Sequence, residues 1–115
     1  MDEIMKAAIY LSLVAVATCA GQAQAGGDPQ AGKEKSAVCA GCHGADGNSV
    51  IGANPRLAGQ YESYLFQALQ QYKSGRRKDM LMGNMVANLS NQDMRDLAAW
   101  FSSQETNVLE VLPNE

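Results

Sequence analysis

Apolar residues fall into stretches with different periods along this chain. From Ala7 to Ala20 they run almost unbroken for about 14 residues, short of the roughly 20 that a membrane-spanning helix needs. Between Gln60 and Ser74 the residues Tyr61, Tyr64, Leu65, Ala68, Leu69 and Tyr72 recur at helical spacing. Glu62, Gln67, Gln70, Gln71 and Lys73 take the opposite face. This predicts an amphipathic helix, stopped by Gly75. Ser90 to Ser103 repeats the pattern with Met94, Leu97, Ala98 and Phe101 inside and Trp100 beside them. Ser90 is the expected N-cap, and Asp93 stands where a capping-box acid belongs. Asp28-Pro29 opens a third helix, expected from Pro29 to about Ala40, since Asp caps well and Pro is tolerated at the first helical position. Gly32 inside it costs about 1 kcal/mol of propensity and points to close approach by another helix. Gly44–Gly59 and Gly75–Leu89 read as long loops, and long loops usually wrap something functional. No internal repeat and almost no strand signal are visible.

The first apolar run precedes Ala23-Gln24-Ala25, which fits the small-x-small cleavage rule. Residues 1–25 therefore read as a secretory signal peptide, cleaved before Gly26. Asp2 and Glu3 sit oddly in its first segment, and Met5 is the more orthodox start. Val16-Ala17-Thr18-Cys19 only loosely resembles a lipoprotein site, with Thr18 a poor fit. Residues 26–104 form one small domain and 105–115 a polar tail.

The 115 residues carry 9 basic and 12 acidic side chains and are 46% hydrophobic. Without Lys6, Asp2 and Glu3, eight basic and ten acidic residues remain, a net charge near −2. This weakly acidic balance argues against nucleic acid, which calls for a basic stripe. A domain this short is poor in core. A buried prosthetic group would supply the missing apolar surface.

Cys39-Ala40-Gly41-Cys42-His43 names that group. A C-x-x-C-H run is the attachment site for a c-type haem. Two thiols one helical turn apart add to the two vinyl groups, and the adjoining histidine binds the iron. A thioredoxin-like redox pair would want a βαβ setting, which is missing. A zinc site would want a fourth ligand, and His43 is the only histidine of the chain. Of the three cysteines, Cys19 leaves with the signal, so none remains for a structural disulfide. Export suits this chemistry, since bacterial c-type haem is attached outside the cytoplasm.

A single histidine leaves Met, Lys, water or an open position as the sixth iron ligand. Met80, Met82 and Met85 crowd one loop that can fold over the distal face. Met94 is explained otherwise, as the helix partner of Leu89 in a hydrophobic staple. Spacing alone does not separate the other three.

The stretches Cys39–Ser49, Pro55–Gln60, Leu89–Asp93 and Asp96–Phe101 together resemble a class I c-type cytochrome. The likeness is to the monohaem domain found twice in bacterial cytochrome c4 and singly in small periplasmic cytochromes c. It covers nearly all of residues 28–104. It implies an all-α, small class I cytochrome c fold, with three main helices and long loops around one covalently bound haem c. The ligand methionine of that family lies eight residues before the serine of the Leu-Ser cap, which here is Met82. A proline twelve residues after the histidine, here Pro55, offers its carbonyl to the histidine Nδ1–H. Arg56 would face a haem propionate, as the basic residue here does in relatives, or stand as a solvated loop arginine. The first and last helices would cross, with Gly32 against the Leu97/Trp100 face.

The activity implied is that of a periplasmic electron carrier, not an enzyme by itself. Its redox partners would be a dehydrogenase or quinol-oxidising complex as donor and a terminal oxidase or another cytochrome as acceptor. It would have no stable membrane span after signal cleavage. The competing readings are a haem subunit held permanently in a periplasmic oxidoreductase complex and a gas-binding or peroxidatic protein with an open site. Arg76-Arg77-Lys78 would be a docking patch or a solvated cluster.

Overall fold

The computed structural model describes residues 26–106. The expected signal peptide, residues 1–25, and most of the expected tail lie outside them. The described residues contain helices and loops but no strand: α1 (Pro29–Lys35), α2 (Ala37–His43), α3 (Glu62–Ser74), α4 (Met80–Val86) and α5 (Asn91–Ser102).

The first expected helix is two helices. Ser36 bends the chain because its N–H and its hydroxyl both return to the Lys33 carbonyl, at 3.2 and 2.8 Å. Such a tight i−3 closure ends α1. The Ser36 carbonyl then accepts the Cys39 and Ala40 N–H groups, starting α2. The second helix thus reaches His43, three residues beyond the expected end. At the front, Asp28 caps α1 through the Gln30 and Ala31 N–H groups, with Pro29 at the first helical position.

The α1–α5 crossing is the tightest contact of the fold. A Cβ on Gly32 would stand 1.9 Å from the Asp96 carbonyl oxygen and 2.8 Å from Trp100 Cβ. Only glycine lets the backbones approach this closely. The face it meets is Asp96/Trp100, one residue round from the expected Leu97/Trp100. The crossing is also clamped by charge. Buried Asp96 accepts Asp28 N–H (2.9 Å), Gln92 Nε2 (2.8 Å) and Lys35 Nζ (2.6 Å). Lys35 reaches Asp93 as well, at 2.9 Å. Asp93 completes the capping box with Ser90, each accepting the other's backbone N–H.

Leu65 of α3 meets Leu97, Ala98 and Phe101 of α5 in the core, with Cys39, Leu57, Phe66, Leu69, Leu89 and Trp100 packed around them. The apolar arc of α3 is turned toward Phe66, which lies under the Arg95 guanidinium at 4.2 Å. Tyr61 and Tyr64, at the other end of the expected stripe, are exposed. The segment expected as one loop from Gly75 to Leu89 contains α4. Asp79 caps it by accepting Met82 N–H at 2.9 Å, and Val86 is its buried anchor. Leu and Met are good helix formers, whereas Gly83 breaks the pattern. Among the described residues no helix is long and apolar enough to cross a membrane.

Candidate haem site

Helix α2 carries the whole C-x-x-C-H motif. Cys39 and Cys42 sit one turn apart and are both free thiols, Cys39 half-buried and Cys42 exposed. Burial, and secondarily the neighbouring Cys42, push the Cys39 thiol above its ordinary range. His43 closes the helix and is buried.

The loop after α2 is built around that histidine. Gly44, with φ +84°, ends the helix. Asn54 Nδ2 and Ser49 Oγ lie 3.0 and 3.3 Å from the Cys42 carbonyl, which the helix leaves unbonded. Gly47 takes the φ +82° turn, and a Cβ there would be 2.8 Å from both Phe101 Cδ1 and Ala58 N. Its carbonyl accepts Leu57 and Ala58 N–H. Asn48 donates to the Glu105 carbonyl at 2.8 Å, and Gly59 N–H to that of Phe101. The loop is therefore stapled at one end to α2 and at the other to the end of α5.

Between the staples, the Pro55 carbonyl oxygen lies 2.8 Å from His43 Nδ1. A carbonyl only accepts, so Nδ1 carries the ring proton and Nε2 keeps its lone pair. This fixes both the tautomer and the ring orientation that an iron ligand requires. Ser49, Asn54 and Gly47 escaped the sequence reading. Their signal was a run of small polar residues that end up buried (Asn48 and Ser49, 8% and 4% exposed) inside a loop.

Arg56 follows Pro55 on the exposed side of this loop. The three clustered methionines differ in cover. Met80 and Met85 are 85% and 52% exposed, whereas Met82 is partly buried on the same side of α4 as Val86. Helix α4 packs on α3. Among the described residues no group of three or more His, Cys, Asp or Glu side chains could hold a metal ion. The donor set suits haem: two free thiols a turn apart, one histidine with Nε2 available, and thioether sulfur as a soft ligand for iron.

The Cytochrome c family profile matches residues 29–105. The chain belongs to the cytochrome c family. It is 44% identical over 106 residues to cytochrome c4 of Pseudomonas aeruginosa, an alignment covering 92% of this chain and 53% of that protein. It is 42% identical over 82 residues to cytochrome c-554(548) of Halomonas halodenitrificans, covering 69% of this chain and 99% of that one. The crystal structure of reduced recombinant cytochrome c4 from Pseudomonas stutzeri superposes with a TM-score of 0.69 at 47% identity, over 71% of this chain and 48% of that chain. The chain spans about half the length of the first curated relatives it matches. As a cytochrome c it carries one haem c, covalently attached through Cys39 and Cys42. The all-helical architecture is that of its cytochrome c4 neighbours.

Proposed function

We propose that this chain is a one-electron carrier of the bacterial periplasm. The haem supplies a single iron centre that alternates between Fe(II) and Fe(III). His43, through Nε2, and Met82, through its thioether, would hold the iron. Ligation by Met and His raises the potential and leaves no open position for substrate. Pro55 holds the imidazole and increases its basicity through the Nδ1 hydrogen bond. Arg56 balances a haem propionate. Donors would be a dehydrogenase or quinol-oxidising complex, and acceptors a terminal oxidase or another cytochrome. The signal-peptide pattern of residues 1–25 supports the compartment, and the pairing of the remaining two cysteines in the attachment motif supports it further.

The observation that carries this reading is the 2.8 Å His43 Nδ1···Pro55 O contact beside two free thiols. It supports ligation through Nε2, since Nδ1 is engaged by the Pro55 carbonyl. The test is a redox titration of the exported holoprotein, with carbon monoxide then added to the reduced form at neutral pH. One electron per haem and no change with carbon monoxide are expected. Carbon monoxide binding would replace the carrier with an open-site, ligand-binding haem protein. Stable co-purification with a large oxidoreductase would make the chain a resident subunit of that complex.

A further inference from the structure

Arg76, Arg77 and Lys78 are not required by the haem site, and their setting is distinctive. The chain is net acidic, at −3, yet four of its nine cationic residues lie within 73–78. Residues 73–81 form one continuous exposed run. Its only acid, Asp79, is already engaged as the α4 cap. Asp93 and Asp96 are paired with Lys35 at the α1–α5 crossing. With four cations and one carboxylate, the run 73–81 keeps a net charge of +3.

The cluster is also braced. The Arg77 guanidinium stacks 4.9 Å over the Tyr72 ring, and the Arg77 backbone N–H donates to the Gln71 carbonyl at 3.1 Å. Lys73 is tied to the Leu89 carbonyl. A held guanidinium loses less freedom on binding than a free one.

Directly after the cations, α4 displays an apolar face. At about 100° per residue, Met80 lies about 160° and Leu81 about 100° round the helix from Met82, whereas Val86 lies only about 40° away. Met80 and Leu81, 85% and 74% exposed, thus occupy the side turned away from the anchor Val86. An exposed apolar centre with a charged rim is the anatomy of a protein docking face, and Met and Arg are enriched there.

We infer that residues 76–81 form the docking face through which this cytochrome exchanges electrons, and that its occupant is a one-electron redox protein with an apolar centre and an acidic rim. The inference rests on the carrier reading above. Charge complementarity selects the acidic partner: the rim would steer encounter and the Met80/Leu81 face would close it. In the encounter the ferrous haem gives up one electron and becomes ferric, the partner is reduced by one, and no atom or proton moves. Such contacts are small and short-lived.

The test uses the reduced holoprotein and two small oxidants of opposite charge, hexacyanoferrate(III) and tris(phenanthroline)cobalt(III), in stopped flow at low ionic strength. The Arg76→Glu/Lys78→Glu double variant should react about tenfold more slowly with the anion and faster with the cation, and salt should erase both differences. Polyglutamate should slow the anionic oxidant with the native protein and not with the variant. Lys33→Glu on α1 should leave both rates near native. The haem spectrum and potential of the double variant should match the native ones. Native rates with hexacyanoferrate(III) in the double variant, or equal loss in Lys33→Glu, would overturn the docking face while leaving the carrier reading intact. A native protein that exchanges electrons with neither oxidant would instead overturn the carrier reading.

Discussion

The α1–α5 crossing and the α3–α4 side of the molecule are built on opposite plans. At the crossing, backbone meets backbone at Gly32, and a buried carboxylate draws donors from three sites: Asp28, Lys35 and Gln92. The carboxylate and each of these three donors are engaged by another group of the same chain. On the α3–α4 side, a seven-residue helix hangs on one buried residue, Val86, and presents methionine and leucine outward beside a cluster of exposed cations. The contrast separates the frame from the working surface. The crossing packs α1 on α5 through internal partners, whereas the α3–α4 surface leaves apolar and charged groups exposed.

Changes at the crossing should therefore cost stability. The largest loss is expected for Gly32→Val. Its Cβ would fall inside the Asp96 carbonyl, and a backbone atom cannot swing aside. A loss of about 3 kcal/mol in denaturant melts of the holoprotein is expected. A change under 0.5 kcal/mol would show that the crossing is loose. Asp96→Ala comes next. It leaves the Asp28 N–H without its partner and removes half of the Lys35 pairing, for about 2 kcal/mol. Lys35 keeps Asp93, which limits the damage.

The smallest effect is a pH dependence. Lys35 first, and the Ser90 N–H second, hold Asp93 at about 2 against an ordinary 3.8. For Asp96 burial pushes upward, but Lys35, the Asp28 N–H and Gln92 outweigh it and the net shift is down. Carboxyls with lowered folded values contribute stability that is present above about pH 4 and lost as pH falls through about 2. Lys35 is raised above 10.5, so its share fades only as pH rises beyond that. Asp93→Asn should be less stable than native near neutrality, and the two should converge as pH drops from about 4 to 2. A gap that stays constant over that range would remove Asp93 from the clamp.

The same contrast governs what the sequence discloses. The haem motif, the Ser90/Asp93 capping box and the role of Gly32 are local patterns with one physical meaning each, and they read correctly from the chain. The break at Ser36 did not, because a serine returning to the carbonyl three residues back leaves no mark in the apolar periodicity. Helix α4 was hidden by its brevity and by Gly83; Asp79 ahead of Met80 was the available signal. The Lys35–Asp96 clamp joins residues 61 apart, a distance over which charge pattern carries no information. The stripe of α3 was off by one position, since tyrosine is apolar enough to enter the pattern and polar enough to face water.

The central claim is that Met82 and His43 enclose the iron. The most direct measurement is the near-infrared spectrum of the oxidised holoprotein, where a methionine sulfur bound to ferric haem gives a weak charge-transfer band. The band should be present in the native protein, persist in Met85→Ala, and vanish in Met82→Ala together with a fall in potential. A band that survives in Met82→Ala and is lost in Met85→Ala would move the ligand to Met85. A native protein without the band, and high-spin, would contradict the account.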